Sequence, residues 1–336
     1  MEKIRVLQIG LGSAGRRRLQ ALVRNGRVHV AGAADADASA RSFAVEALGS
    51  GVRIADSGAD LLAGLTAEAA VVSTPNHLHR GLVIAALESG LHVLCEKPLG
   101  DGVAATAQCV DTALRVKRLL RPGANHLWLP SVREAERLLA RGEYGPILDL
   151  EIAVGHGRGE SLPSWFKRPE LSGGGALKDN GAHAVLLALR WLALDGDTLA
   201  RVDSCQLRAA DWAAVELGAD VRMRSAQGRS IRVRCRWSGP AQYEFRVRAR
   251  CREAALAIEG ATSLREERSR GGRELAVEEG GSDSWCVDTD HFVASVLGLR
   301  SAEPTAAHAL ACARVVEAAY ESARADRAVA VQQGVV

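Results

Sequence analysis

The first third of the chain alternates short apolar runs with longer segments that carry apolar residues every three or four positions. The short runs predict buried strands and the longer segments predict helices. Buried strands that alternate with helices indicate a parallel sheet covered on both faces, the doubly wound α/β arrangement. The predicted strands cover residues 4–9, 28–34, 69–73, 92–95 and 119–125, and the predicted helices cover 78–88, 103–117 and a segment that ends near residue 24.

The pattern changes beyond residue 125. Several runs now alternate polar and apolar residues, as in 231–237, which indicates an antiparallel sheet with one solvent-exposed face. Residues 265–281 are charged and rich in glycine, which predicts a surface hairpin or loop. The further predicted strands cover 148–154, 202–208, 214–224, 230–237, 243–250, 254–258 and 328–331, and the predicted helices cover 131–140 and 306–325. We therefore expect two domains, residues 1–125 and 126–336.

Composition and charge exclude several classes of protein. A length of 336 residues suits two packed domains, and a net charge of +3 spread along the chain argues against a nucleic-acid-binding protein. The basic cluster at residues 16–18 is typical of a solvated helix face, with a phosphate contact as the alternative. Seven cysteines without a CxxC pair argue against a disulfide framework or a zinc site. With no signal-peptide pattern and no bilayer-spanning stretch, we expect a cytoplasmic protein.

A glycine motif follows the first predicted strand. Gly10 permits a tight turn, Gly12 lets the backbone approach a pyrophosphate, and Gly15 lets the helix pack closely on the strand. Amide groups at the start of the helix, at Ser13 and Ala14, favour anionic phosphates. The motif predicts a dinucleotide-binding turn.

An acidic residue completes this fingerprint. Asp35 ends the second predicted strand, twenty positions after Gly15. A carboxylate there accepts hydrogen bonds from a ribose 2′-hydroxyl and repels a 2′-phosphate, which favours NAD over NADP. The alternative is that Asp35 is a turn residue ahead of Asp37.

Further motifs make the pattern specific. They are STPNHLH at residues 73–79, CEKPL at 95–99, GGGALKDNGAH at 173–183 and YESA at 320–323. With these motifs in this order, the chain resembles the Gfo/Idh/MocA oxidoreductases, named for glucose-fructose oxidoreductase, inositol dehydrogenase and a rhizopine catabolism protein. The resemblance implies a Rossmann domain at 1–125 that binds NAD. It also implies an α/β domain at 126–336, whose open, mainly antiparallel sheet borders a carbohydrate-like substrate and forms a homo-dimer or homo-tetramer.

The same resemblance implies site residues. In the family, the active site is lined by the lysine of the Glu-Lys-Pro motif and by the aspartate and histidine of the glycine-rich motif. In this chain these residues are Lys97, Asp179 and His183. Lys97 is also a candidate contact for cofactor and substrate. The residues expected to border the cofactor, besides the glycine turn and Asp35, are Ser73, Thr74, Pro75, Asn76, His79, Glu96 and Asn125.

These residue types suit the oxidation of an alcohol. Such a reaction needs a base with a pKa near the working pH, and a histidine such as His183 has one without perturbation. Asp179 lies four residues earlier, so on an α-helix both side chains share a face. Lys97 supplies a cation where alkoxide character develops, or carries the proton itself. The alternatives are a helix cap for Asp179, a packed core residue for His183 and a surface residue for Lys97.

Other polar residues are weaker candidates. His77, His79 and His126 match no standard metal-ligand spacing, so we expect no metal. Two positions depart from the common family pattern, Leu127 and Leu186, where an arginine and an aspartate are often found. This departure puts the substrate of inositol dehydrogenases in doubt for this chain. The candidate substrate-pocket residues are His126, His156, Trp165, Lys178 and Asn180, together with Asn125.

Three hypotheses for the function follow. The first is an NAD-dependent dehydrogenase that oxidises a secondary hydroxyl of a sugar, amino sugar or cyclitol. The second is a ketoreductase that uses NAD(P)H on a nucleotide-linked keto sugar in secondary metabolism. The third is a cofactor-sensing binding protein without catalytic activity, which intact Lys97, Asp179 and His183 disfavour.

Overall fold

The computed structural model describes residues 3–277 and 283–332, and the chain divides into two compact units. The first unit holds the residues up to Asn125 together with a later stretch that ends at Leu310. The second unit holds the described residues from His126 to 277 and from Ala311 onward. The first unit is therefore built from two separate parts of the sequence.

The helices and strands have the following bounds. The strands are β1 (Ile4–Ile9), β2 (Val28–Ala34), β3 (Arg53–Ala55), β4 (Ala69–Val72), β5 (His92–Cys95), β6 (Leu120–Pro122), β7 (Ile147–Gly155), β8 (Leu199–Ala210), β9 (Ala213–Ser225), β10 (Ser230–Arg236), β11 (Glu244–Cys251), β12 (Ala255–Glu259), β13 (Ser263–Arg268), β14 (Gly271–Glu274) and β15 (Val329–Ala330). The α-helices are α1 (Ser13–Arg24), α2 (Ala38–Leu48), α3 (Gly58–Gly64), α4 (Asn76–Glu88), α5 (Val103–Val116), α6 (Pro130–Ala140), α7 (Pro169–Ser172), α8 (Ala182–Ala193), α9 (Ser284–Val296) and α10 (Ala306–Ala325).

The first unit contains a parallel sheet with the strand order β3-β2-β1-β4-β5-β6. Neighbouring side chains of β1 enter opposite cores: Val6 packs with residues of α1 and α9, whereas Leu7 packs with residues of α3, α4 and α5. The order of the strands reverses between β1 and β4, and ligands of such sheets bind outside the carboxyl ends of the strands at this reversal. The predicted doubly wound α/β class is confirmed.

The segment that contains α9 corrects the predicted extent of the second domain. We expected all residues after 126 to form that domain, but the stretch from α9 to Leu310 belongs to the first unit. The reason is packing: Phe292 and Val293 of α9 are buried in the same core as Val6 and Leu19. A boundary drawn once along the sequence cannot represent a chain that returns to its first unit.

The second unit contains a nine-stranded sheet with the order β14-β13-β12-β11-β7-β10-β9-β8-β15. Of these pairs, β7 and β10 run parallel and the others are antiparallel. In β10, Ile231 and Val233 are buried while Arg232 and Arg234 point to the opposite, more exposed face. The predicted antiparallel sheet with one polar face is therefore confirmed.

Several local predictions differ from the structure. Residues 263–274 form the β13–β14 hairpin in the segment predicted as a hairpin or loop, and residues 278–281 lie outside the described part. The strand predicted over 119–125 ends at Pro122, and a 3₁₀-helix follows at Asn125–Trp128. The helices α2, α3, α7 and α9 and the strand β3 were not predicted from the sequence, and a helix was assumed only for residues 179–183 at the start of α8. In the part of the chain that the structure describes, no helix is both long and apolar enough to cross a bilayer.

Candidate active site

The glycine turn after β1 has the geometry of a phosphate-binding turn. Gly10 has φ +89°, and a Cβ there would lie 2.6 Å from the carbonyl of Ser73. A Cβ at Gly15 would lie 2.0 Å from the carbonyl oxygen of Gly10, whereas one at Gly12 would meet nothing within 4 Å. Since no side chain caps the start of α1, the space beside Gly12 and the helix N-terminus fit a pyrophosphate.

Asp35 is held beside this turn. Its carboxylate accepts hydrogen bonds from the amide of Leu11 at 2.6 Å and from the amide of Asp37 at 2.9 Å. Asp37 has a separate task, since its side chain caps α2 by accepting from the amide of Ala40. The position of Asp35 next to the glycine turn fits a carboxylate that binds the ribose of a dinucleotide.

The loop after β4 offers an unsatisfied polar group. The Thr74 hydroxyl oxygen is buried and has no hydrogen-bond partner among residues 3–277 and 283–332. Ser73 is buried, and its hydroxyl oxygen accepts from the side-chain Nε2 of Gln8 at 3.4 Å. Asn76 is the first residue of α4, after Pro75. Because buried polar atoms normally have a partner, the Thr74 hydroxyl suits a ligand that supplies one.

His79 corrects one predicted cofactor contact. Its side chain is fully buried, with Nδ1 2.7 Å from the carbonyl oxygen of Pro98 and Nε2 2.7 Å from that of Thr74. Burial lowers the pKa of His79, while the two carbonyl contacts act in the opposite direction. With both ring nitrogens next to backbone carbonyls, His79 supports the loops that carry Thr74 and Pro98 in place of the expected direct contact with the cofactor.

A buried group of charges lies behind Glu96. The guanidinium of Arg18 binds Glu96 at 2.8 Å and Asp288 at 2.5 Å, and Asp288 also binds Arg121 at 2.6 Å. A Cβ at Gly123 would lie 2.6 Å from the Glu96 carboxylate, so only glycine leaves room for it. The prediction of a solvated face is therefore wrong for Arg18. The Glu96 carboxylate, expected at the cofactor, accepts from this buried cation.

Lys97 directly follows Glu96 at the carboxyl end of β5. Its side chain is half-buried, and the Lys97–Pro98 peptide bond is cis. Asn125, another predicted cofactor residue, is buried and is the last residue of the first of the two chain segments that form the first unit. The loops after β1, β2, β4 and β5 thus carry nearly all the residues that the sequence assigned to the cofactor.

Asp179 and His183 lie in the second unit on neighbouring turns. Asp179 belongs to a π-helical segment, Leu177–Gly181, and His183 to the first turn of α8. The single α-helix assumed from their spacing is therefore wrong, because a π-helical turn contains an extra residue. His183 is 8% exposed and Asp179 is half-buried.

A buried carboxylate that the sequence analysis missed holds this segment. Glu216 of β9 accepts hydrogen bonds from the amides of Gly175 at 3.0 Å and Leu177 at 2.9 Å, and from the Tyr320 hydroxyl at 2.8 Å. A Cβ at Gly174 would lie 2.2 Å from the Tyr320 oxygen, which accounts for a glycine there. Burial and the Glu216 charge raise the pKa of Tyr320. The signal in the sequence was a glutamate within the apolar first half of β9.

Three aromatic rings form a connected row that ends at Asp179. The indole nitrogen of Trp237 donates to the Asp179 carboxylate at 2.9 Å. Trp165 stacks on Phe166 with ring centroids 3.8 Å apart, and Phe166 meets the edge of Trp237 at 5.8 Å. Phe166 and Trp237 were not among the predicted site residues.

The remaining substrate candidates of the second unit lie around the same segment. Lys178 is a half-buried neighbour of Asp179. Asn180 is buried and donates to the Arg236 carbonyl at 3.2 Å. The His156 ring accepts from the amide of Arg158 at 3.2 Å. Asn180 and His156 thus both contribute to local backbone structure.

His126 lies against His183. Their ring centroids are 3.8 Å apart, and the His126 Nε2 atom is hydrogen-bonded to the Tyr243 hydroxyl. Desolvation and the charge of Asp179 raise the pKa of Tyr243 above its ordinary value. Tyr243 was predicted only as part of a strand, so its closeness to this cluster is a finding of the structure.

The two departures from the common family pattern are apolar packing positions here. Leu127 is 5% exposed and Leu186 is 6% exposed. Neither position adds a polar side chain beside His126 and His183. Within residues 3–277 and 283–332, no three His, Cys, Asp or Glu side chains are grouped so that they could hold a metal ion.

Two protein-family models match the chain. Residues 4–124 match an oxidoreductase family with an NAD-binding Rossmann fold, and residues 132–257 match the GFO/IDH/MocA C-terminal domain. Together the two matches include most of both units.

Individual relatives match shorter stretches. Levoglucosan dehydrogenase of Pseudarthrobacter phenanthrenivorans is 31% identical over 128 residues, 35% of this chain and 31% of the relative. A putative UDP-kanosamine synthase oxidoreductase subunit of Amycolatopsis mediterranei is 33% identical over 184 residues, 54% of this chain and 49% of the relative. The matches thus span about half or less of these relatives.

A comparison of folds covers nearly the whole chain. A solved structure of levoglucosan dehydrogenase in complex with NADH superimposes with a TM-score of 0.90 and 19% identity, and covers 99% of this chain and 100% of the other. At this identity the match shows that the two proteins share a fold.

Proposed function

Since the chain belongs to the Gfo/Idh/MocA family of oxidoreductases, we propose that it is an NAD-dependent dehydrogenase that oxidises a secondary hydroxyl of a sugar, amino sugar or cyclitol. The observation that carries this proposal is the fixed presentation of Asp179 and His183. The backbone amides of Gly175 and Leu177 donate to Glu216, which fixes the segment that precedes Asp179 in the chain. The Trp237 indole donates to the Asp179 carboxylate and fixes its orientation. Groups held in this way suit proton transfer, because their geometry is set before a substrate binds.

NAD is the cofactor that the first unit fits. The glycine turn at 10–15 would hold the pyrophosphate, Asp35 the adenosine ribose, and Thr74 with its unsatisfied hydroxyl the other half of the dinucleotide. When bound, NAD would supply the hydride acceptor for the alcohol carbon.

The residues of the chain handle the proton. His183 accepts the proton of the substrate hydroxyl, because histidine is the side chain that most often transfers protons in catalysis. Asp179 accepts a hydrogen bond from a neighbouring hydroxyl of the substrate and stabilises the imidazolium that forms. Lys97 places a positive charge where the alkoxide develops.

The aromatic rings favour a sugar-like substrate. Trp165, Phe166 and Trp237 form a continuous group of rings that ends at Asp179. Aromatic faces pack against apolar C–H surfaces, while carboxylates bind hydroxyls, and a sugar or cyclitol ring carries both. The similarity to a protein named levoglucosan dehydrogenase agrees with this class.

A second candidate is a reaction on a nucleotide-linked sugar. It is favoured by the similarity to a protein named as a putative UDP-kanosamine synthase oxidoreductase subunit. In that case the enzyme would oxidise the sugar of a nucleotide conjugate or reduce its keto form with NAD(P)H. An aromatic and carboxylate site accommodates the sugar part of either substrate.

NADH formation separates these candidates. The purified protein would be incubated with NAD and a panel of free sugars, amino sugars, cyclitols and UDP-linked sugars, and with NADH and keto sugars for the reverse reaction. We expect turnover with at least one polyol, lost at least 100-fold in Lys97→Ala and His183→Ala. A protein that binds NAD yet turns over nothing in either direction would instead be the cofactor-sensing type.

We also expect a homo-dimer or homo-tetramer formed through the polar face of the nine-stranded sheet. On this face, arginines alternate with acids, as in the Arg248–Glu267 pair at 2.9 Å and the Arg246–Glu259 pair at 3.1 Å. A face that carries both charges can complement a copy of itself across a two-fold axis. Light scattering should give a multiple of the 35.6 kDa chain mass. A monomer at micromolar concentration would contradict this expectation.

A further inference from the structure

His126 is enclosed by aromatic rings on several sides. Its ring centroid lies 3.8 Å from that of His183 at an interplanar angle of 47°, 5.4 Å from Phe245 and 6.0 Å from Tyr243. All four residues belong to the second unit. The closest of these contacts is the one with the proposed base.

A hydrogen bond fixes the orientation of the His126 ring. The Tyr243 hydroxyl bonds to Nε2 of His126. Tyr243 is 48% exposed overall, so its ring lies at the surface while its hydroxyl is turned to His126. The orientation of His126 is therefore set by both packing and a directional bond.

The rotation of His183 matters for its chemistry. The torsion between the Cβ atom of a histidine and its ring is broad, so an unsupported imidazole swings and moves its nitrogen atoms away from a substrate. A flat ring packed at 3.8 Å limits this swing. A displacement of about 1 Å in a reacting group costs roughly 100-fold in rate.

We propose that His126 is the positioning residue of His183, and that Tyr243 holds His126 in turn. The proposal rests on the proposed function, because it takes His183 as the base. His126 itself gives up no proton in this scheme. It acts through the ring that it packs against, so its loss lowers kcat and leaves substrate and NAD binding almost unchanged.

Kinetics of three variants test the proposal on a polyol that the wild-type enzyme oxidises. We expect kcat to fall about 30-fold in His126→Ala, with the KM values for polyol and NAD within about threefold of wild type. His126→Phe restores a flat ring but lacks the bond to Tyr243, so its kcat should recover to about the level of Tyr243→Phe. Tyr243→Phe, which removes the anchoring hydroxyl, should lower kcat about threefold to tenfold. The proposal is overturned if His126→Ala keeps kcat within twofold of wild type, or raises KM at constant kcat.

A spectroscopic measurement tests the packing without turnover. The ring current of His126 should shift the imidazole proton signals of His183, assigned by comparison with His183→Ala. These signals should move in His126→Ala and stay near their wild-type positions in His126→Phe. Unchanged His183 signals in His126→Ala would overturn the proposal even if no substrate is known. Absence of turnover with the expected signal changes would reject the proposed function alone.

Tyr144→Phe is the matched control. Tyr144 belongs to the same unit and donates its hydroxyl hydrogen to Glu266, which also binds Arg268 and Arg273. We expect neither kcat nor the His183 signals to change in this variant. A loss of kcat equal to that of Tyr243→Phe would show a general effect of removing a hydroxyl, and would count against the proposal.

Discussion

The guanidinium of Arg18 and the carboxylate of Asp288 lie 2.5 Å apart, and neither side chain is exposed to solvent. Removal of one partner leaves an uncompensated buried charge. We expect Asp288→Asn to lower the free energy of unfolding by about 3 to 5 kcal/mol, because Arg121 loses its partner as well. Urea denaturation would measure it, with Asp290→Asn on the same helix as the control. A loss below about 1 kcal/mol would contradict this account.

The same carboxylate makes the free energy of unfolding depend on pH in the acidic range. Burial would raise the pKa of Asp288, but the charges of Arg121 and Arg18 outweigh it and hold the pKa below its usual range. Such a group stabilises the fold fully above its unfolded pKa of about 3.9, and this contribution is lost as the pH falls through the lower folded value. Asp288→Asn should therefore flatten the decline of stability below about pH 4. An unchanged slope would show that other carboxylates control it.

Asp35 should determine the choice of dinucleotide. In Asp35→Ser the charged acceptor is lost, so we expect NAD affinity to fall about tenfold to 100-fold while NADP affinity rises. Fluorescence titration with NADH and NADPH measures both. Asp56→Ser, which removes an exposed carboxylate of the same unit, should change neither affinity. If Asp35→Ser still prefers NADH by the wild-type ratio, the fingerprint assignment fails.

His79 should support the loops that carry Thr74 and Pro98. His79→Ala leaves two buried carbonyls without their contacts, and we expect about 2 to 4 kcal/mol less stability. Since Thr74 is assigned to the cofactor, the affinity for NADH should fall too. His92→Ala, at a half-buried histidine in β5 that accepts one amide bond, is the control for stability and affinity. If a folded His79→Ala protein bound NADH with wild-type affinity, His79 would not support the loop that carries Thr74.

Glu216 should position Asp179 and His183 through the backbone. In Glu216→Gln, an amide group faces backbone N–H donors, so we expect about 1 to 3 kcal/mol less stability and a kcat reduced roughly tenfold. Tyr320→Phe removes one of the three donors and should have a smaller effect. Glu170→Gln, at an exposed carboxylate paired with Arg168, should match wild type in both measurements. If Glu216→Gln and Glu170→Gln lowered stability and kcat equally, Glu216 would not be the residue that positions Asp179 and His183.

The sequence predicted the parts of the fold that depend on local pattern. The buried strands of the first sheet are short apolar runs, and the alternation in β10 matches its buried and exposed faces. The glycine turn could be predicted because Gly10 and Gly15 occupy positions that other residues cannot. These signals lie within a few neighbouring positions of the chain.

The parts that could not be predicted depend on distant pairs. Arg18 in an exposed-looking basic cluster is buried because Asp288, 270 positions later, compensates it. Glu216 and Tyr320 meet across 104 positions, and His126 and Tyr243 across 117. Apart from Glu216, which lies in an apolar run, these residues do not differ in their local pattern from ordinary surface residues. The site therefore contains residues that only the three-dimensional arrangement reveals.

The return of α9 to the first unit has a consequence for biosynthesis. Arg121 and its partner Asp288 are 167 positions apart, so at roughly 5–20 residues per second the carboxylate is made about 10 to 30 s after the arginine. During this interval the nascent first unit lacks the carboxylate that Arg18 and Arg121 share, and of the two described carboxylates that bind Arg18 only Glu96 has been made. It also lacks Phe292 of its core. Strands β7–β14 of the second unit's sheet are translated before α9, and of the described strands only β15 follows it. The first unit therefore receives α9 and its buried counter-charge after most of the second unit has been made.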